Sequence, residues 1–248
     1  MLSRVRAGCM SLRPPILLGR SISVCLLLVA GALGQAQAAG PIAFVQSNSA
    51  DPQAPQTTVT VAYTAAQAAG DLNVVVVGWN DSTATVSSVK DSKGNVYALA
   101  AAPVVQTGIA TQAIYYAKNI VAAAAGANAV TVTFSVAAAF PDIRIAEYSG
   151  IDPVNPVDVS VGAQGNSATS NSGTVTTTNA SDLLVGANLV QTLTTGVGAG
   201  YTNRVITNPD GDILEDQVVT ATGSYSATAP VSPSGAWIMQ IVAFRGHR

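Results

Sequence analysis

The sequence predicts an all-β fold: a two-sheet antiparallel β-sandwich, jelly-roll-like, built from two related β-units. Apolar and hydroxyl side chains alternate with period two along several short runs. Clusters of Gly, Pro, Asn and Asp punctuate those runs at turn positions. Helix-forming stretches are short: Ala65–Ala69 and Val121–Ala125 both close before a glycine and predict one helical turn at most, or loop.

In chain order, Val59, Val61 and Tyr63 alternate with Thr58, Thr60 and Ala62, which gives one strand an apolar face and a hydroxyl face. Leu72–Val77 is nearly all apolar and predicts a strand buried on both sides. Lys93-Gly94-Asn95, between Val86–Val89 and Val96–Leu99, predicts a hairpin. Ile114–Ala117 predicts another doubly buried strand. Val130, Val132, Phe134 and Val136 then alternate with Thr131, Thr133 and Ser135; threonine, being β-branched, suits a pleated surface. Asp152-Pro153-Val154-Asn155-Pro156 predicts a rigid crossing. Gly162–Gly173, rich in Ser, Asn and Gly, predicts a flexible loop. Leu183–Ala187 and Trp237–Phe244 complete the doubly buried strands, with the turn cluster Asn208-Pro209-Asp210-Gly211 between them.

The two halves echo each other. Ala69-Gly70-Asp71-Leu72-Asn73-Val74-Val75 matches Ala180-Ser181-Asp182-Leu183-Leu184-Val185-Gly186, and Pro141–Gly150 matches Ala236–Gly246. Two β-units of about 95–110 residues follow. The link at Ile151–Val159 is short and apolar, which favours one domain over residues 39–248 against two separate sandwiches of immunoglobulin size.

Residues 1–38 read as an export signal. Arg4, Arg6, Arg13 and Arg20 precede an apolar run from Ile22 to Leu33, and Ala36-Gln37-Ala38 offers a small-x-small cleavage pattern. The run falls short of the roughly 20 residues a membrane span needs, so no span is expected after cleavage. A secreted or periplasmic bacterial location follows. Cleavage after Ala38 removes Cys9 and Cys25, and with them any disulfide or thiol chemistry. It leaves seven Lys and Arg against thirteen Asp and Glu, a net charge of −6. Such a chain has no basic patch to neutralise phosphates, which excludes nucleic acid as a partner.

The segments GDLNVVVVGWND, SSVKDSKGNVY, IYYAKNI, AVTVTFS, IAEYSGIDPVNPVD, GSYSATA and WIMQIVAF extend over roughly residues 43–245. Together they resemble a β-sandwich module of secreted, often multi-domain bacterial proteins. The resemblance implies architecture and location. It brings no assigned activity and no catalytic residues.

No catalytic set is recognisable. A Ser-His-Asp triad needs an imidazole, and His247, the one histidine, sits in a charged tail. Zinc sites want His or Cys ligands. Carboxylates remain. The segment Asn208–Asp216 holds Asp210, Asp212, Glu215 and Asp216, oxygen donors of the kind that suit calcium, although no cofactor is required. Trp79 with Asn80 and Asp81 at a strand end, and Tyr116, are candidate ligand contacts: a pyranose stacks on an aromatic ring and hydrogen-bonds neighbouring polar groups. Glu147 shares a strand face with Ile143 and Ile145, which predicts partial burial.

The expected function is a non-catalytic exported module for binding or scaffolding at or outside the cell envelope, with polysaccharide or an envelope or extracellular protein as partner. The main alternative is a polysaccharide hydrolase or lyase working through Glu147 with Asp142 or Glu215, since glycoside cleavage needs two carboxyls facing one cleft. An outer-membrane barrel is disfavoured by the scarcity of aromatics for interfacial girdles. Uncharged Val/Thr edge strands leave a fibre or surface-layer subunit as a further alternative.

Overall fold

Sixteen strands account for the regular structure in a computed structural model that describes residues 40–247. The export-signal reading of residues 1–38 lies outside the described residues. In the first unit the strands are β1 (Ala43–Ala50), β2 (Gln56–Tyr63), β3 (Leu72–Trp79), β4 (Val86–Asp91), β5 (Ala98–Gln106), β6 (Ala110–Ala117), β7 (Asn128–Ala138) and β8 (Asp142–Ser149). In the second they are β9 (Val157–Asn171), β10 (Val175–Thr176), β11 (Asp182–Val190), β12 (Leu193–Thr194), β13 (Thr202–Ile206), β14 (Ile213–Val219), β15 (Ser224–Tyr225) and β16 (Thr228–Arg245).

The first unit builds a five-stranded sheet in the order β1-β8-β3-β6-β5 and a three-stranded sheet β2-β7-β4. The second repeats the plan. β9 pairs with β16, and the sheet continues β16-β11-β14-β13, so β9, β16, β11, β14 and β13 stand where β1, β8, β3, β6 and β5 stand. The long β16 supplies two roles. Its end pairs with β11 as β8 pairs with β3, and its start pairs with β12 as β7 pairs with β4. Registers agree as well: Leu72 lies opposite Tyr148, and Leu183 opposite Phe244. Even the irregularities repeat. The bulge at Val45 in β1 recurs at Asp158 in β9, and the bulge at Ala100 in β5 recurs at Arg204 in β13.

Burial follows from this arrangement. Val75, Val77, Ile143 and Ile145 pack against Val59, Val61, Val130, Val132 and Phe134 of the three-stranded sheet. The opposite face of the same strands carries Leu72, Val74, Val76, Ala146 and Tyr148. It meets Leu183, Val185, Leu214, Val242 and Phe244 of the second unit. A third cluster, with Leu184, Met239, Ile241 and Val175, fills the second unit's own interior. The inner strands are therefore covered on both sides, which is why they read as apolar runs rather than alternating ones. The molecule is an antiparallel all-β sandwich of two related units, with open sheets packed face to face rather than closed into a barrel.

Two local expectations change, and a third is met by loop. Lys93-Gly94-Asn95 is a turn, with Gly94 at φ +75° and the Asp91 carboxylate accepting from the N–H groups of Lys93 and Asn95. It does not close a hairpin, because β4 pairs with β7 and β5 with β6, in different sheets. Gly162–Gly173 is mostly strand: β9 runs through Asn171 along β16. Its glycines serve close approach, since a Cβ at Gly162 meets Gln240 Cγ and Val104 Cγ2 at 2.7 Å and one at Gly165 strikes the Trp237 ring. The Ala-rich runs form no helix; Gln67 and Ala123 join them in an isolated antiparallel bridge. Bulges also interrupt the pairing of β1, β2, β4, β5, β9 and β13, which discourages addition of a further strand and weakens the fibre alternative.

Between the two large sheets lies one polar seam. The fully buried Arg144 guanidinium donates to Asp142 Oδ1 (2.6 Å), to the carbonyls of Asn188 and Ile213 (both 2.6 Å) and to Gln112 Oε1 (3.0 Å). Gln112 Nε2 donates to the Ala187 carbonyl and to Gln240 Oε1, and Gln240 Nε2 donates to the Ala102 carbonyl. Removing one member of a buried ion pair strands its partner, so Arg144→Ala is expected to lower the unfolding free energy by about 3–5 kcal/mol in denaturant titrations. A loss below about 1 kcal/mol contradicts this placement.

Candidate functional site

Trp79, Asn80 and Asp81 sit at the end of β3, but they do not form a platform. Trp79 is 1% exposed and meets Phe134 edge-on, with ring centroids 5.4 Å apart. Its ring belongs to the first unit's interior because Val75, Val77 and Trp79 share one strand face. Asp81 closes its own turn, accepting from the N–H groups of Thr83 (2.8 Å), Ala84 (2.7 Å) and Ala139 (2.9 Å). Partial burial pushes its carboxyl up, but these donors outweigh that and hold it below the usual aspartate value. Asn80 is partly exposed. It accepts from Gln191 Nε2 (2.9 Å) and lines a cleft of about 280 Å³ with Gln191, Leu193, Pro209 and Asp210. The fold thus brings Asn80 beside one residue of the acidic segment.

That segment divides. Asp212 is fully buried beside the seam, where its Oδ1 accepts from Val190 N (2.7 Å) and its Oδ2 has no hydrogen-bond partner. Burial and the neighbouring Asp142 push its carboxyl up. Glu215 and Asp216 are consecutive on β14 and so face opposite ways. Glu215 turns into the second unit's interior and accepts from Gly198 N (2.7 Å); burial raises its carboxyl to about 7. Asp216 turns to the packed face and takes two hydrogen bonds from Arg204, at 2.8 and 3.0 Å. That guanidinium lies 4.0 Å above the Phe44 ring of the first unit, so the pair helps clamp the two units together. The four predicted calcium ligands therefore do not converge. Among the described residues no group of three or more His, Cys, Asp or Glu side chains is arranged to hold a metal ion.

Tyr116 is the predicted ligand residue that opens on the largest of these clefts. Half-buried at the end of β6, it packs edge-on against Phe244 (5.9 Å). A cleft of about 500 Å³ spreads over it, lined also by Lys118, Asp152, Asn155, Pro156 and Arg245. The crossing segment Asp152–Pro156 forms one wall. Asp152 caps it, accepting from Val154 N (2.8 Å) and Asn155 N (3.1 Å), and these bonds hold its carboxyl below the usual value. Lys118 Nζ donates to the Val154 carbonyl, and Arg245 donates to the carbonyls of Asn155 and Val157 and to Asp158. The cleft combines an aromatic edge, two cations, a carboxylate and an amide.

Glu147 is buried as expected, facing Ile143 and Ile145 into the first unit. Gln46 Nε2 donates to its Oε2 (2.6 Å), and the carboxyl of Asp71 lies against it. Asp142, on the other face of β8, points between the large sheets. Glu215 occupies the second unit's interior. The three carboxyls of the hydrolase alternative thus lie in three different layers, and glycoside cleavage requires two across one open cleft.

Comparison with family models, curated proteins and solved structures finds no match, so the functional reading rests on the chain's own geometry. Residues that sequence reasoning passed over are Arg144, Gln112 and Arg204. The cue to Arg144 was a cation set between Ile143 and Ile145 on a strand that also carries Asp142 and Glu147.

Glu215 supplies a direct check. Its folded-state value lies above the unfolded one, so the stability it contributes is whole below about pH 4.5 and lost as pH rises through about 7. Glu215→Gln removes that titration. Between pH 5 and pH 8, thermal melts are expected to shift in favour of the glutamine variant by roughly 1–3 kcal/mol. An equal pH response of both proteins contradicts the burial assigned to this carboxyl.

Proposed function

We propose that the protein is an exported, non-catalytic β-sandwich module that binds at or beyond the cell envelope, and that the cleft over Tyr116 receives a glycan chain. The observation that carries this reading is the convergence in one open cleft of an aromatic edge with Lys118, Asp152, Asn155 and Arg245. Saccharide recognition uses that combination: a ring body against a sugar face, and polar groups that fix its hydroxyls. The scattering of the interior carboxylates over separate layers supports a binding role over a hydrolytic one. Export rests on the leader-like pattern of residues 1–38.

The test is binding to a broad glycan panel, in calcium and again in chelator. A bound glycan is expected in both conditions, with affinity roughly ten-fold weaker in Lys118→Ala. Loss of binding in chelator redirects the reading to calcium at the Asn80–Asp210 cleft. Binding that is unchanged in both Lys118→Ala and Tyr116→Ala removes the Tyr116 cleft from the proposal. Silence across the panel moves the reading to a protein partner.

A further inference from the structure

Six of the buried polar atoms left without a hydrogen-bond partner are carboxylate oxygens, on Asp51, Asp142, Glu147, Asp182, Asp212 and Glu215. A buried acceptor without a donor is costly unless the donor is a proton carried by a neighbouring acid. Two of these oxygens, on Glu147 and Asp182, lie in carboxyl pairs in which the internal repeat places one aspartate, while the partner differs: Glu147 on β8 in the first unit, Asp158 on β9 in the second. Asp71 directly precedes Leu72, and Asp182 directly precedes Leu183; the two leucines hold equivalent registers, opposite Tyr148 and Phe244. Each aspartate therefore stands at the same end of its unit.

Asp71 shares a sheet face with Asn73, which lies opposite Glu147 in the ladder, so the two carboxyls are diagonal neighbours. Gln46 on β1 satisfies Glu147 Oε2 and leaves Oε1 to Asp71. Tyr63 stands beside Glu147, with Tyr97, Asp91 and Tyr148 as its other titratable neighbours, none of them a cation, and the one charged group that acts on Asp71 is Glu147. In the second unit Asp182 lies against Asp158, the bulged residue of β9. Asp158 is held by Arg245 Nη2 (2.6 Å) and by the backbone and hydroxyl of Thr178, while Asn179 Nδ2 donates to Asp182 Oδ1 (2.9 Å). Asp152 and His247 flank Arg245 at this end.

We propose that Asp71–Glu147 and Asp158–Asp182 are two proton latches of one kind, each anchored on the aspartate that the repeat places before the inner strand and each closing the same end of its β-unit, tight in mildly acidic surroundings and released as pH rises to neutrality. In each, the aspartate at the start of the inner strand carries the proton and donates it to the facing carboxylate. Burial is the first cause that favours the protonated form, and the facing acid adds to it: Asp71 is pushed up to about 7 and Asp182 to about 6. Both folded-state values exceed the unfolded value of 3.8. The stability each latch gives is therefore whole below about pH 4 and lost as pH climbs through about 6–7.

Hydrogen exchange on the full chain, corrected for intrinsic rates, tests this at about pH 5.5 and about pH 8. Protection at Leu72–Val74 and Leu183–Val185 is expected to fall roughly ten-fold or more at the higher pH. Asp71→Asn and Asp182→Asn carry a permanent amide donor. Each is expected to abolish most of the fall at its own end and leave the other end unchanged. Equal protection at both pH values in the unaltered chain, or an undiminished fall in both variants, overturns the proposal. Carbon-13 titration of the assigned Asp71 and Asp182 carboxyls gives a reading that needs no variant: midpoints near 7 and 6 are expected, and midpoints below about 5 for both overturn it.

Discussion

The face-to-face packing of the two large sheets is the constraint on which the rest of the molecule depends. Each unit wraps a smaller layer around one face of its large sheet, and the opposite face, with Leu72, Val74 and Val76 in one unit and Leu183, Val185 and Leu214 in the other, is mostly apolar and buried. Burying such a side chain is worth about 1.5–3 kcal/mol, so a dozen of them outweigh the cost of the few polar groups caught between the sheets. Exposed, the same faces would form an apolar patch far larger than a soluble domain tolerates. Each unit is thus the cover of the other.

The polar seam within that packing shows how the repeat has diverged. Arg144 lies opposite Val76 and Gln240 opposite Ala187, so the two occupy equivalent positions. Gln112 stands two residues before Ile114 and Asp212 two residues before Leu214, which are likewise equivalent. One side of the seam sets a glutamine against a glutamine; the other sets an arginine among aspartates. The charged side sets Asp142 and Asp212 beside one guanidinium, and Asp51 lies against Asp210 near Asp142, where burial pushes it up to about 7. A buried network of this kind contributes little net stability, but it penalises any sliding of one sheet over the other, because a shift of one residue would leave Arg144 without acceptors.

Much of this fold was legible in the sequence, and the misses have physical causes. Alternation at Val59–Tyr63 and Val130–Phe134 marked the strands with one face to solvent, although it fails at Val136, which is exposed, and the apolar runs marked those covered twice. The echo between Asp71-Leu72 and Asp182-Leu183 marked the two units. The strand β9 was not legible, because its glycines answer to the Trp237 ring and to Gln240, partners more than seventy residues away in sequence. The candidate site was less legible still. Trp79 has the composition of a binding platform, yet strand parity turns it inward with Val75 and Val77. The acidic segment looks like one ligand loop, yet the same parity sends Glu215 and Asp216 to opposite faces. Tyr116 survives as a surface candidate because the crossing segment that walls its cleft was itself readable from its two prolines.

Each unit carries one tryptophan, Trp79 in the first and Trp237 in the second, and both are buried. Trp79→Phe and Trp237→Phe variants therefore report on one unit at a time. Denaturant unfolding followed by the remaining tryptophan in each, with circular dichroism as a common reference, asks whether the units depend on one another. Mutual cover predicts that the fluorescence midpoint of each variant coincides with its own circular dichroism midpoint, one cooperative transition in both. A tryptophan signal that separates from the circular dichroism transition in either variant would mean that one unit stands without the other, and would contradict the account.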